Sequence, residues 1–146
     1  MTRLFIVDTN VVAAALLTRG ASSPTARILD AMLDGRLMFL LSPDLLAEYR
    51  AVLLRPRLAA RHGLSETEID EILTALAANS IWREPTAVLA EPDAARPAPP
   101  DGNDMHLWEL LACETTAVLV TGDKALLRCP YPGRELLQPG DMTGLK

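Results

Sequence analysis

Four acidic residues are spaced so that one fold could gather them around a divalent cation: Asp8, Glu48, Asp104 and Asp123. Residues 4–7, LFIV, form an apolar, strand-forming run that stops at Asp8, and residues 117–120 form a second that passes through Thr121 and Gly122 into Asp123. Ligands of open parallel sheets bind outside the carboxyl ends of the strands, so both carboxylates belong at that edge. Glu48 falls about one and a half turns into a helix that follows another apolar run. Asp104 opens a helix whose N-terminus can point to the same place. Gathering these carboxylates without a cation is costly, because like charges raise one another's pKa. Magnesium or manganese, hard ions that prefer oxygen ligands, removes that cost and keeps positions open for water and a phosphate oxygen. The chemistry expected of such a site is in-line hydrolysis at phosphorus.

Each residue taken singly has a plainer explanation. Asp8 and Asp123 could cap the helices that follow them, and Asp101 with Asp104 has the spacing of an N-cap and an N3 acid. Glu48 could sit on a solvated helix face, and His106 reads more readily as a surface or core-edge residue than as a ligand. Their joint placement carries the reading.

The elements that must position them follow from pattern and punctuation. Helices are expected over residues 10–17 with Thr9 or Asn10 as N-cap, from Ser23-Pro24 to Gly35, from Pro43 to Leu54, from Ser65 to Asn79, from Asp104 to Glu114, and briefly after Asp123 through Leu127. Ser65 and Glu68 make a capping box, and Ile69, Ile72, Leu73 and Leu76 form one helical stripe. Strands are expected at 4–7, 37–41, 81–83 and 117–120, with 135–137 as a last edge strand. Residues 84–102 hold five of the 11 prolines and read as a loop. Strands alternating with helices indicate one α/β domain, residues 1–146, with a mainly parallel sheet.

Composition bounds the rest. The 146 residues are 49% hydrophobic, enough for a real core, and no apolar run approaches a membrane span. The N-terminus lacks the continuing apolar stretch of a secretory signal, and two cysteines make no disulfide framework, so the cytoplasm is the expected compartment. A net charge of −5 argues against binding nucleic acid by charge alone, but not against an acidic site neutralised by cations.

In this order the motifs resemble a known family. A strand enters Asp8-Thr9-Asn10, Ser42-Pro43 leads to Glu48, Arg55-Pro56 follows that helix, Asp101-x-x-Asp104 precedes another, and Thr121-Gly122-Asp123 follows a strand. The pattern, over residues 3–140, is similar to the PIN domain, in particular its branch of toxins of type II toxin–antitoxin systems, the VapC-like ribonucleases. The resemblance implies a three-layer α/β/α sandwich with a mainly parallel central sheet, and magnesium- or manganese-dependent cleavage of RNA. It assigns metal binding and catalysis to Asp8, Glu48, Asp104 and Asp123, an auxiliary role to Asp101, and the orientation of the carboxylates to Thr121 and Asn10. It also implies a homodimer and an antitoxin protein that blocks the cleft. Many relatives carry Asp-Asp or Asp-Pro-x-Asp where this chain has Asp101-Gly102-Asn103-Asp104.

Candidate RNA contacts are Lys124 and Arg128 beside Asp123, and Arg19 in the loop after the first helix. Arg50, Arg55, Arg57, Arg61 and His62 form the densest basic stretch, readable as a phosphate track, an antitoxin contact or a solvated face with paired charges. Three other functions compete: a catalytically silent PIN-like binding module, a solitary nuclease acting on DNA or structured nucleic acid, and a phosphatase with an aspartyl nucleophile. The last needs a second acid two residues after the first, where Asn10 stands here.

Overall fold

The apolar run after Arg3 becomes strand β1 (Phe5–Val7), with all three residues buried. Successive strand side chains point to opposite faces, so burial of all three means that both faces are covered. The same holds for β4 (Val118–Val120), the parallel partner of β1 in the register Phe5–Val118, Ile6–Leu119 and Val7–Val120. This computed structural model describes residues 3–18, 22–85 and 96–142. Beyond β4 lies β5 (Leu136–Leu137), the edge strand anticipated from sequence. On the other side β2 (Leu40–Leu41) pairs with β3 (Ile81–Trp82), and a parallel bridge between Phe5 and Phe39 joins them to β1. Among the described residues every pairing is parallel, and across that bridge the order reads β3-β2-β1-β4-β5. The fold is a three-layer α/β/α sandwich, and the strand order reverses between β1 and β4. In such sheets the crevice outside that reversal is where ligands bind.

Local sequence accounts for the helices around it. Among the described residues they are α1 (Thr9–Leu17), α2 (Pro24–Leu33), α3 (Pro43–Leu53), α4 (Pro56–His62), α5 (Glu66–Asn79), α6 (Met105–Cys113) and α7 (Lys124–Arg128). Ser23 and Ser42 accept from the backbone N–H groups of Ala26 and Leu45, each followed by proline in the first turn. Ser65 and Glu68 form the reciprocal capping box.

The structure corrects two of these boundaries and adds one helix. Helix α1 starts at Thr9 with Asp8, not Thr9 or Asn10, as its N-cap. Strand β2 is confined to Leu40–Leu41 rather than residues 37–41, because the N–H groups of Arg36 and Leu37 are spent on the Ala31 carbonyl at the end of α2. Helix α4 was not anticipated: it buries no residue, so it carries no apolar stripe for periodicity to detect. Gly63, at φ 68°, ends it in the left-handed region that glycine adopts without strain. Of the expected loop, residues 86–95 lie outside the described residues, and a 3-10 turn, Gly102–Asp104, closes its far end. The apolar faces of α1 and α5 are largely interior, since Val11, Val12, Ile69, Leu73 and Leu76 all join the core. Among the described residues no helix is long and apolar enough to cross a membrane.

One buried contact sets α3 against the sheet. Tyr49 is fully buried, and its hydroxyl donates to the carbonyl of Val7, the last residue of β1. Glu48, its neighbour in α3, is thereby held beside the end of β1. Replacing Tyr49 by Phe leaves that carbonyl without its donor and is expected to cost about 1–2 kcal/mol. A lower urea midpoint at unchanged slope is the expected signature, and a midpoint equal to the wild type would contradict it.

Candidate active site

Because Val7 pairs with Val120, the next residues of the two strands, Asp8 and Thr121, emerge side by side. The Thr121 hydroxyl donates to Asp8 Oδ2 at 2.7 Å, the Asn10 amide donates to the same oxygen at 3.1 Å, and the Thr9 N–H donates to Oδ1 at 2.7 Å. Asp8 is only 4% exposed. Burial raises its pKa, the Thr121 and Thr9 bonds act against that, and the charges of Glu48 and Asp123 add to the rise. An N-cap needs one such bond; the other two hold this carboxylate in a fixed orientation.

The Thr121-Gly122-Asp123 turn is tied to the same cluster. Gly122 N–H donates to Asn10 Oδ1 at 3.0 Å, and Asp123 N–H donates to Thr121 Oγ1 at 3.0 Å. Asp123 caps α7 by accepting from Ala125 N–H through Oδ1, which leaves its second oxygen free of that duty. Asn10 and Thr121 thus connect two strand ends that are more than a hundred residues apart in sequence.

From the helical side come Glu48, in α3, and Asp104, immediately before α6. Asp104 stands at the N-cap of α6 yet makes no side-chain capping bond, so the capping explanation does not use its carboxylate. Its pKa is pushed up to about 6, first by burial and then by the charges of Asp8, Asp101, Glu48 and Asp123. All four carboxylates line one cleft of about 630 Å³. Asp101 also lines it, while capping the 3-10 turn through the Asn103 N–H at 2.9 Å. Lys124 and Arg128 are exposed on α7 and do not line the cleft, and Arg19 lies outside the described residues.

His106 is the residue that sequence reasoning passed over. Its Nε2 lies 2.6 Å from Glu48 Oε2, with the side chain 12% exposed. Glu48 Oε2 and both imidazole nitrogens are buried without a hydrogen bond of good geometry among the described residues. Burial lowers the imidazole pKa, but Glu48, Asp104 and Asp8 more than offset it, and the net shift is upward. Glu48, Asp104 and His106 each offer a ligand atom within 4.8 Å of the others. Buried donors with lone pairs and few partners are what a divalent cation would satisfy, so these residues fit one. No spacing rule singles out His106. The only available signal was that a crowd of acids recruits a nearby base.

The family model described as the PIN domain matches residues 5–125 of the chain. The chain belongs to the PIN-domain family. Among solved structures, a chain of VapBC2 from Rickettsia felis, in a crystal structure with a DNA fragment from their promoter, is similar in fold. The TM-score is 0.56 at 13% identity, over 92% of this chain and 98% of that one. No curated protein matches the sequence.

The acidic cleft gives this PIN domain a definite stability response. Asp104 and Asp8 have folded-state pKa values above their ordinary ones, so ionising them disfavours the fold as pH rises through those values. His106, also raised, stabilises the fold while protonated and loses that contribution as pH rises. All three shifts act in one direction. Without divalent cations, the melting temperature is expected to rise between pH 7.5 and pH 5, and Asp104→Asn should flatten the rise. Differential scanning fluorimetry in EDTA checks this, and a melting temperature that falls over the interval in both proteins contradicts it.

Proposed function

We propose that the chain is a divalent-metal-dependent endoribonuclease and the cytoplasmic toxin of a type II toxin–antitoxin pair. The observation that carries this reading is the cleft itself: a nearly buried Asp8, oriented by three donors, shares it with Glu48, Asp104 and Asp123. PIN-family membership and the fold likeness to a VapBC2 chain support the toxin assignment. The chain acts as a single domain, forms a homodimer, and is silenced by an antitoxin that covers the cleft.

Magnesium or manganese, when bound, would activate water and stabilise charge at the phosphorus. Glu48, Asp104 and His106 would hold the cation, with the charges of Asp8 and Asp123 completing the site. Thr121 and Asn10 keep the Asp8 carboxylate from turning away, which lets it meet a cation without reorganising. Asp101 adds negative charge at the rim. Water adds to phosphorus and the bond to the 3′ oxygen breaks, leaving a 5′-phosphate and a 3′-hydroxyl that has gained a proton.

The test is incubation of the pure protein with a mixed RNA pool, with manganese or magnesium and with EDTA. Cleavage should require metal and fall by about a hundredfold or more in Asp8→Asn, the loss expected when several kcal/mol of charge stabilisation is removed. Thr121→Val should lose about 10- to 100-fold, because the carboxylate it orients remains. Equal cleavage by wild type and Asp8→Asn would sink the role of Asp8, and cleavage of DNA but not RNA would sink the substrate assignment.

A further inference from the structure

We infer that Arg55, Arg57 and Arg61 form the track along which single-stranded RNA enters the acidic cleft. The inference rests on the cleft being that of a nuclease. A second cavity of about 760 Å³ is lined by Arg55, Pro56, Leu58, Arg57 and Arg61, and Arg55 also lines the acidic cleft, so the two cavities are neighbours that share this side chain.

The structure divides the basic stretch that sequence left undivided. Arg50 is taken up by Glu66 at 2.7 Å and Asp70 at 2.8 Å, which makes it a link between α3 and α5. His62 bridges backbone: Leu64 N–H donates to its Nδ1 at 2.9 Å, so the proton sits on Nε2, which donates to the Leu53 carbonyl at 2.8 Å. Arg55, Arg57 and Arg61 are exposed, and none makes an ion pair or a side-chain hydrogen bond among the described residues. Elsewhere most arginines are engaged: Arg3 with Glu135, Arg36 with Asp34, Arg83 with Glu114, and Arg134 with the carbonyls of Leu111, Glu114 and Ala117.

Helix α4 and its N-cap residue Arg55 therefore present three uncompensated charges, while the partly buried Leu58 holds the helix against the core. Arg57 and Arg61 are four residues apart and lie on one helical face. In a chain of net charge −5, a polyanion approaching four carboxylates needs a local cationic path, and this one borders the cleft at Arg55. The apolar floor, Pro56 and Leu58, suits unpaired bases, and guanidinium planes stack on them. Duplex RNA, whose bases are stacked inside, cannot use that floor. This chemistry favours an RNA strand over an acidic peptide as occupant.

Equilibrium binding of a labelled single-stranded RNA in EDTA, followed by fluorescence anisotropy over a salt series, tests the assignment without cleavage. Each phosphate contact contributes about 0.7 to the slope of log K against log salt for a single strand. The double variant Arg57→Ala, Arg61→Ala should reduce the slope by about 1.4 and weaken binding roughly tenfold at physiological ionic strength. Arg61→Ala alone should lose about half the slope change, which covers failure of the double variant to fold. Arg27→Ala, an exposed arginine of α2 outside both cavities, should leave the slope unchanged. An unchanged slope in the α4 variants overturns the proposal, as does tighter binding of an acidic peptide of equal charge, which would assign the groove to a protein partner. RNA cleavage by the wild type with an unchanged slope in the variants would sink the track alone. Slope loss in the variants, with no cleavage of RNA in any metal, would sink the nuclease reading and leave the track standing.

Discussion

Everything at the cleft depends on the bond between the Thr121 hydroxyl and the buried carboxylate of Asp8. It forms because two short strands pair in parallel with Val7 opposite Val120, which brings the first residue after each strand into contact. A slip of one residue in that pairing would turn the side chains to the other face and separate the two groups. Asn10 then locks the arrangement from the first turn of α1, reaching both Asp8 and the Gly122 N–H. The core on both sides of β1 and β4 fixes the register, and the register orients the carboxylate.

A site built this way works against the stability of its own protein. Burial and mutual repulsion raise the pKa values of Asp8 and Asp104, so in the ionised state each is held where it is less stable than in water. His106 relieves part of that strain by lying against Glu48. The rigid supports, including the Tyr49 hydroxyl on the Val7 carbonyl and the capped starts of α2, α3 and α5, lie around the cleft and not in it. The surrounding fold supplies the stability that a crowd of acids gives up.

The surface follows a complementary division. Arginines engaged with carboxylates or carbonyls tie elements together, as Arg50 does between α3 and α5 and Arg134 does at the end of α6. Three that pair with no other described residue, Arg55, Arg57 and Arg61, stand together along α4 and its N-cap, beside the acidic cleft that Arg55 also lines. In a chain with more acids than bases, that distribution concentrates positive charge in one place.

Sequence alone determined most of the element order and which four carboxylates the fold gathers in one cleft. Apolar runs ending in Asp8 and Asp123 mark buried parallel strands whatever their neighbours, and Ser-Pro and the Ser65–Glu68 box mark helix starts through purely local bonds. Helix α4 stayed hidden because a helix that buries nothing leaves no periodicity, and the short extent of β2 was decided by backbone groups already spent on α2. Which basic residues are free was equally out of reach, since Arg50 and Arg57 look alike until α5 brings Glu66 and Asp70 against one of them. His106 entered the site only because α3 and α6 pack so that its ring meets Glu48. Local rules act through neighbours in the chain, and those neighbours are written in the sequence. Charge pairing, burial and the sharing of a cleft act between residues far apart in the chain, and only the folded packing decides which of them meet.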